Sequence, residues 1–262
     1  MDYKDINKIS WNKRTAVHIT SDFYDLPAFL KGKNSLNSIE LDLLGELNGK
    51  SILHLQCHFG QDSLSLARMG AKVTGVDLSD AAIAKAEELN TKLQLDAEFI
   101  CCDVYELPKH LDRAFDMVFT SYGTIGWLPD MDKWAAVVGQ FLKPGGSFVM
   151  AEFHPVVWMY DDDFTGVKYN YFNDGPITEF ATGTYTDGAD DFAADYVNWN
   201  HPISDVLTAL LNQNLTMECF QEFDYSPYDC FAHTKEIAPG KFQLKPFENK
   251  IPLVYALKCI KK

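Results

Sequence analysis

Two carboxylates stand at matching places in this chain. Asp77 closes the run Val73-Thr74-Gly75-Val76, and Asp103 follows Phe99-Ile100-Cys101-Cys102, each where apolar residues give way to polar ones. An acid at the carboxyl end of a second parallel strand can accept both hydroxyls of a ribose. Asp77, with Leu78 and Ser79 beside it, is therefore read as a contact to an adenosyl ribose. The competing reading is an acid placed for the dipole of the next helix, but Ser79 and Asp80 already fill that role. Asp103 repeats the arrangement after a third strand, where its carboxylate can accept from an adenine amino group while the backbone N–H of Val104 donates to the ring. A lone Asp after a strand also suits an ordinary turn.

A third candidate stretch lies upstream. Ser51–Leu55 is a short apolar run, Gln56-Cys57-His58-Phe59-Gly60 makes a sharp turn, and a helical pattern starts at Asp62. Strand, loop and helix of this kind bring backbone N–H groups and a helix N-terminus to one crevice. His54, Gln56, Cys57, His58 and Gly60 are accordingly candidate cofactor contacts, with His58 either a ligand-facing donor or a surface residue. His154, just past a fifth strand, can serve as a general base because an unperturbed imidazole titrates near neutrality; a histidine hydrogen-bonded structurally beside Pro155 is the favoured reading. Ser121 and Tyr122 follow a fourth strand, and Tyr122 is either a site residue or core packing. Trp11, Tyr24, Trp127, Trp158 and Tyr160 can form an aromatic lid that excludes water. His18 and His201 can equally be satisfied structural residues. No HExxH and no Cys/His zinc spacing occurs, so no metal is expected.

The elements that must hold these groups alternate. Strands are expected at Ile52–Leu55, Lys72–Val76, Ala97–Cys101, Phe115–Thr120 and Ser147–Glu152, with helices at Ser38–Leu47, Asp62–Met69, Asp80–Asn90, about Asp130 to Leu142, and Ser204–Leu211. Such alternation implies parallel strands joined by right-handed helical crossovers, a doubly wound α/β fold. Leu215–Phe223 and Pro252–Cys259 would extend the sheet as a terminal antiparallel pair. Residues 1–37, whose aromatics are spaced too irregularly for a strand or a long helix, form an arm or lid. Residues 38–154 form the cofactor-binding core, 155–200 an inserted cap of loops and short hairpins, and 201–262 the rest of the core.

Composition bounds the partners. A formal net charge of -14 argues against nucleic acid, since neutralising phosphates takes clustered Lys and Arg. The acidity concentrates in residues 151–262, which hold 17 Asp and Glu against 8 Lys and Arg. Six cysteines without a CxxC pair, and an N-terminus without an apolar signal core, fit the cytoplasm. No apolar segment reaches the ~18 residues of a membrane span. A small-molecule substrate is expected.

With these residues in view, 38–154 resembles the class I S-adenosylmethionine-dependent methyltransferases. The resemblance rests on the first-strand loop to Gly60, Val76-Asp77, Cys102-Asp103, Phe115-Asp116-Met117-Val118 and Leu142-Lys143-Pro144-Gly145-Gly146-Ser147. His54-Leu55-Gln56-Cys57-His58-Phe59-Gly60 and Trp199-Asn200-His201-Pro202 look like a bacterial subfamily of small-molecule-type enzymes. The resemblance implies a seven-stranded, mostly parallel Rossmann-like sheet with an antiparallel last strand, S-adenosylmethionine as cofactor, and methyl transfer to a small acceptor by in-line displacement. It also implies that Ser121 and Tyr122 line the transfer site. The family usually shows an acid followed by Gly-x-Gly-x-Gly; here His54, Gln56, His58 and Gly60 occupy those positions, and only the last glycine survives. Gln56 and His58 then need an allowed backbone geometry or carry strain. A non-catalytic S-adenosylmethionine-binding protein remains an alternative, as does a nicotinamide-dependent dehydrogenase, against which the missing GxGxxG and the presence of Asp103 both count.

Overall fold

Every residue from Ile52 to Leu55 is buried, because helices cover both faces of the sheet to which they belong. The computed structural model describes residues 2–262. Its elements are α1 (Tyr3–His18), α2 (Leu26–Leu30), α3 (Ser38–Leu44), β1 (Ser51–Leu55), α4 (Gln61–Arg68), β2 (Lys72–Asp77), α5 (Asp80–Leu93), β3 (Glu98–Cys101), β4 (Phe115–Ser121), α6 (Met131–Phe141) and β5 (Leu142–Phe153). They continue with β6 (Ile177–Thr182), β7 (Ala193–Asn198), α7 (Ile203–Leu211), β8 (Leu215–Phe223), β9 (Thr234–Ala238), β10 (Lys241–Leu244) and β11 (Val254–Lys261).

The main sheet has seven strands in the order β3-β2-β1-β4-β5-β11-β8. Pairing from β3 to β5 is parallel, and β11 runs antiparallel to both β5 and β8, as the sequence implied. Alternate side chains feed two cores. Leu53, Leu55, Val118 and Phe148 pack toward Trp134 and Val138 of α6 and Val206 and Leu210 of α7. Ile52, Phe119 and Val149 pack toward Leu44 of α3, Leu64 and Leu66 of α4, and Ala82 and Leu89 of α5. The order of strands reverses between β1 and β4, and such a switch point leaves a crevice at the carboxyl ends of β1, β2 and β4.

The N-terminal segment corrects one expectation. Residues 3–18 form a 16-residue helix, not an irregular arm. Its buried positions Asn7, Ser10, Arg14, Thr15 and His18 follow helical spacing, but they are polar, so no apolar stripe announces the helix. Hydrogen bonds anchor it at several points. The Asn7 amide donates to Val197 O at 2.8 Å and accepts from Val197 N–H at 2.8 Å, and Lys13 Nζ donates to Ala193 O at 2.9 Å. Val197 and Ala193 belong to the hairpin of β6 and β7 in the 155–200 segment, and a second hairpin joins β9 to β10. No helix among the described residues is long and apolar enough to cross a membrane.

Candidate active site

At the carboxyl ends of β1, β2 and β4 lies a cavity of about 1320 Å³. That exceeds the ~300–1,000 Å³ of ordinary single-ligand sites and leaves room for two molecules side by side. One wall is α1, which lines it with Tyr3 and with Lys4, Asn7, Trp11 and Arg14, the last four spaced by three, four and three as on one side of a helix.

The β1–α4 loop keeps the backbone of a glycine turn without the glycines. Gln56, His58 and Gly60 all have left-handed φ, at 54°, 50° and 80°. The first two side chains are fastened. Gln56 Nε2 donates to Thr124 O at 2.7 Å, and His58 Nε2 meets His18 Nδ1 at 3.0 Å. At Gly60 a side chain has no room, because a Cβ would lie 2.9 Å from Ala86 Cβ and 3.0 Å from the Phe99 ring. Gln56 Oε1, His58 Nδ1 and His18 Nε2 are buried without partners. Burial holds His58 at about 3, with the Arg14 charge adding to the effect; burial, the His58 ring and Arg14 hold His18 at about 2, so both imidazoles are neutral.

Asp77 ends β2 against this loop. Its Oδ2 accepts from His58 N–H at 2.8 Å and its Oδ1 from Ser79 N–H at 2.9 Å. Burial pushes the carboxyl up to about 6, against the pull of those two N–H groups. Each oxygen retains a further lone pair for a ligand donor. Leu78, Asp103 and Val104 also line the cavity. Asp103 caps the following turn by accepting from Tyr105 N–H at 3.0 Å, and its Oδ2 lies 3.3 Å from the Lys4 ammonium of α1.

Beyond β4 the wall changes character. Tyr122, at φ 28°, donates from its hydroxyl to Glu40 Oε2 at 2.7 Å, and the other Glu40 oxygen caps α3 by accepting from Asn37 N–H at 2.6 Å. Burial raises Glu40 to about 7, opposed by the Asn37 bond and reinforced by the Asp62 carboxylate. Ser121 Oγ donates to Asp62 Oδ2 at 3.2 Å, and burial raises Asp62 too. Glu152 is spent on structure: its Oε2 accepts from Thr124 N–H at 2.8 Å, Thr124 Oγ1 at 2.9 Å and Ile125 N–H at 3.2 Å, fixing the β4–α6 loop.

Comparison with known proteins agrees with this geometry. The family model described as "Methyltransferase domain" matches residues 52–146, which run from β1 into β5. Residues 52–146 are a methyltransferase domain. A ubiquinone biosynthesis O-methyltransferase of Coxiella burnetii is 27% identical over 154 residues, covering 58% of this chain and 65% of that protein. Its counterpart in Nitrosococcus oceani is 32% identical over 130 residues, covering 48% and 54%. The chain therefore spans two thirds or less of the curated relatives it matches. A crystal structure titled as an S-adenosylmethionine-dependent methyltransferase from Mesorhizobium loti superposes with a TM-score of 0.60 at 19% identity, covering 88% of this chain and all (100%) of that one. The fold is that of the class I S-adenosylmethionine-dependent methyltransferases.

Within this methyltransferase fold, the residues singled out from sequence fall into two groups. His54, Gln56, Cys57, His58, Gly60, Asp77, Leu78, Asp103, Val104, Ser121, Tyr122 and Tyr24 line the cavity, as do the aromatics Trp11, Trp127, Trp158 and Tyr160. His54 contributes from beneath, with Nδ1 2.8 Å from Ser63 Oγ and burial holding it at about 3. Ser79 and His154 do not reach the cavity. Ser79 Oγ accepts from Ala82 N–H at 3.0 Å as the cap of α5 and donates to Asn12 Oδ1 at 2.6 Å, which consumes the hydroxyl. His154 turns away because its backbone leaves β5 along β11, with N–H bonded to Leu253 O at 2.9 Å. Its Nδ1 accepts from Val156 N–H at 3.2 Å, so the proton sits on Nε2 and donates to Glu222 at 3.0 Å. That ring has no lone pair left for a substrate. His201 also borders the cavity, with its Nε2 donating to Leu128 O at 2.7 Å.

Glu40, Asp62 and Arg14 escaped the reading of the sequence. Asn37-x-x-Glu40 is a recognisable capping box, but nothing local shows that Tyr122, 82 positions away, meets its second oxygen. No group of three His, Cys, Asp or Glu able to hold a metal occurs among the described residues.

Proposed function

We propose that the protein is a cytoplasmic S-adenosylmethionine-dependent methyltransferase acting on a small-molecule acceptor. The observation that carries this is the half-buried Asp77 carboxylate, which lines the switch-point cavity against a loop of glycine-turn geometry. The site suits the cofactor: Asp77 would take the ribose hydroxyls, Leu78 and Val104 would flank the adenine with Asp103 at its edge, and the orphaned Gln56 and His58 atoms would meet the polar amino-acid end. When bound, S-adenosylmethionine supplies a methyl group activated on a sulfonium.

The chain's own residues then do three things. The α1 helix and the 155–200 segment close over the crevice and exclude water, which strengthens every polar contact within. Trp127, Tyr24 and their aromatic neighbours hold the acceptor in line, and positioning alone can lower a barrier by several kcal/mol, up to ~7–11. Tyr122 takes the acceptor's proton on its phenolic oxygen while passing its own to Glu40 Oε2, so the proton ends on a carboxylate tuned to about 7. A net charge of -14 and the relatives' names both support a small acceptor over nucleic acid, and six unpaired cysteines support a reducing compartment.

Calorimetry with S-adenosylhomocysteine tests the assignment through Asp77→Asn, which keeps the volume and one acceptor oxygen. Hydrogen bonds to a charged group contribute about 1.5–3 kcal/mol, so affinity should fall roughly 10- to 150-fold. Full affinity in a folded Asp77→Asn protein would overturn the reading.

A further inference from the structure

Arg14 is a buried cation of α1 whose Nε has no partner. The residue is 7% exposed, on the face of α1 that lines the cavity. Among the described residues, no Asp or Glu oxygen lies within 4.0 Å of its guanidinium and no group hydrogen-bonds to it, Nε being buried without a partner. Its surroundings are ring faces: Phe192 at 4.9 Å, Tyr196 at 5.6 Å, Trp11 at 5.7 Å and Trp127 at 5.8 Å from Cζ. Rings of this kind orient a cation and exclude water, yet they leave its five donors unused. A buried charge without a partner is strongly destabilising, whereas the same charge becomes favourable when a hydrogen-bonded anion completes it. The fold thus holds a desolvated, preoriented fork facing a ligand cavity.

We infer that Arg14 is the receptor for a carboxylate on a bound small molecule. Two sources share this chemistry: the amino-acid end of the adenosyl cofactor and an acid group on the acceptor. The first deepens the cofactor reading and rests on it. It is favoured by the course of α1, on which Lys4 lies at Asp103 and Arg14 lies ten residues on, about 15 Å along the helix axis at ~1.5 Å per residue. Trp11 bridges to the first-strand loop, with its ring 5.2 Å from His58 and 5.1 Å from Trp127. One helix face would then follow an extended adenosylated amino acid from the base to the carboxylate. A planar fork matches a carboxylate bidentately, which lysine cannot reproduce.

Arg14→Met, which keeps an apolar stem among the rings, separates the outcomes by calorimetry. With a cofactor carboxylate, affinity for S-adenosylhomocysteine falls at least tenfold, while affinity for 5′-methylthioadenosine, which lacks the amino-acid end, stays within twofold. With an acceptor carboxylate, both adenosyl affinities hold, but sodium benzoate, bound by the wild type in the presence or absence of S-adenosylhomocysteine, no longer binds. Either result supports the inference. Equal loss of both adenosyl compounds, or no change with all three probes, overturns it. A wild type that binds neither adenosyl compound sinks the cofactor reading instead, and the benzoate titration then decides Arg14 alone. Thermal melting guards against a packing role: ligand-free Arg14→Met should melt no lower than the wild type, because an unpaired buried cation has been removed. A lower melting temperature accompanied by parallel loss of both adenosyl affinities would show that Arg14 only packs the cage.

Discussion

Replacing each unusual residue of the first-strand loop by glycine should give unequal results at two positions that share one backbone geometry. Gln56 and His58 are both left-handed, at φ 54° and 50°. Glycine relieves about 1–2 kcal/mol of left-handed strain at either site, offset by ~0.4–1 kcal/mol of extra chain entropy when unfolded. At Gln56 the remaining loss is one hydrogen bond, to Thr124 O at 2.7 Å. Such a bond contributes a net ~0.5–1.5 kcal/mol, so Gln56→Gly should lie within about 1 kcal/mol of the wild type. At His58 the loss is larger, because His18 Nδ1 forfeits its 3.0 Å partner and the ring leaves contacts with Phe59 at 4.5 Å and Trp11 at 5.2 Å. A stranded buried polar atom costs ~1–3 kcal/mol and each lost aromatic pair ~0.5–1.5 kcal/mol. His58→Gly should therefore be destabilised by roughly 2–4 kcal/mol, and at about 2–4 °C per kcal/mol its melting temperature should fall by roughly 4–16 °C. Urea denaturation and thermal melting of the two variants side by side provide the assay. A His58→Gly protein as stable as Gln56→Gly would refute the reasoning, since the imidazole would then be merely tolerated in a glycine position.

Other outcomes follow from the same contacts. If Glu40 receives the acceptor's proton, the wild-type rate rises with pH through about 7, and Glu40→Gln abolishes that limb and lowers kcat by ~10²–10⁴-fold; an unchanged pH profile would exclude the Tyr122–Glu40 route. Acid lability has a defined sign. His18, His54 and His58 are held below their usual value, so the unfolded chain binds protons that the fold refuses, and each costs up to about 1.4 kcal/mol of stability per pH unit as pH falls below ~6.5. Glu40 and Asp77 are raised and oppose this loss, because the fold keeps protons that the unfolded chain releases. Stability should thus decline between pH 6.5 and 5, and Glu40→Gln should steepen the decline; a flat profile from chemical denaturation would contradict it. His154→Gln should leave kcat within twofold of the wild type while costing ~1–2 kcal/mol, since the ring bonds only Val156 and Glu222; a large kcat loss at unchanged stability would restore it as a catalytic candidate.

The parallel core was legible because its signals are local. Apolar runs ending in Asp77 and Asp103 and the Ser79 cap each declare a strand end or helix start within a few residues. The loop was legible in outline for the same reason, since a turn that needs left-handed backbone at three alternate positions keeps that need whichever residues occupy it. What failed were features decided across long stretches of chain. The helix of residues 3–18 buries Asn7, Arg14 and His18, so the usual apolar stripe is replaced by residues that read as surface. The choice between the catalytic and the structural reading of His154 could not be made locally, because the path of the chain leaving β5, set by pairing with Leu253, decides which way its ring points. Glu40 declared its cap but not its phenol.

The union of α1 with the β6–β7 hairpin also bears on biosynthesis. Asn7 is tied to Val197 by two hydrogen bonds across 190 positions of chain. Domains tend to take shape as they leave the ribosome, at ~5–20 residues per second. The first helix emerges early with a polar inward face and nothing to receive it, and it waits roughly ten seconds or more at that pace for its partner strand. Throughout that interval the parallel strands can assemble while the ligand chamber still lacks a wall. A nascent chain arrested before residue 193 should therefore hold at most the five parallel strands β1 to β5, without β8 and β11, and an unfinished site, so that translational pausing in the cap segment would delay the moment when ligand can first be captured.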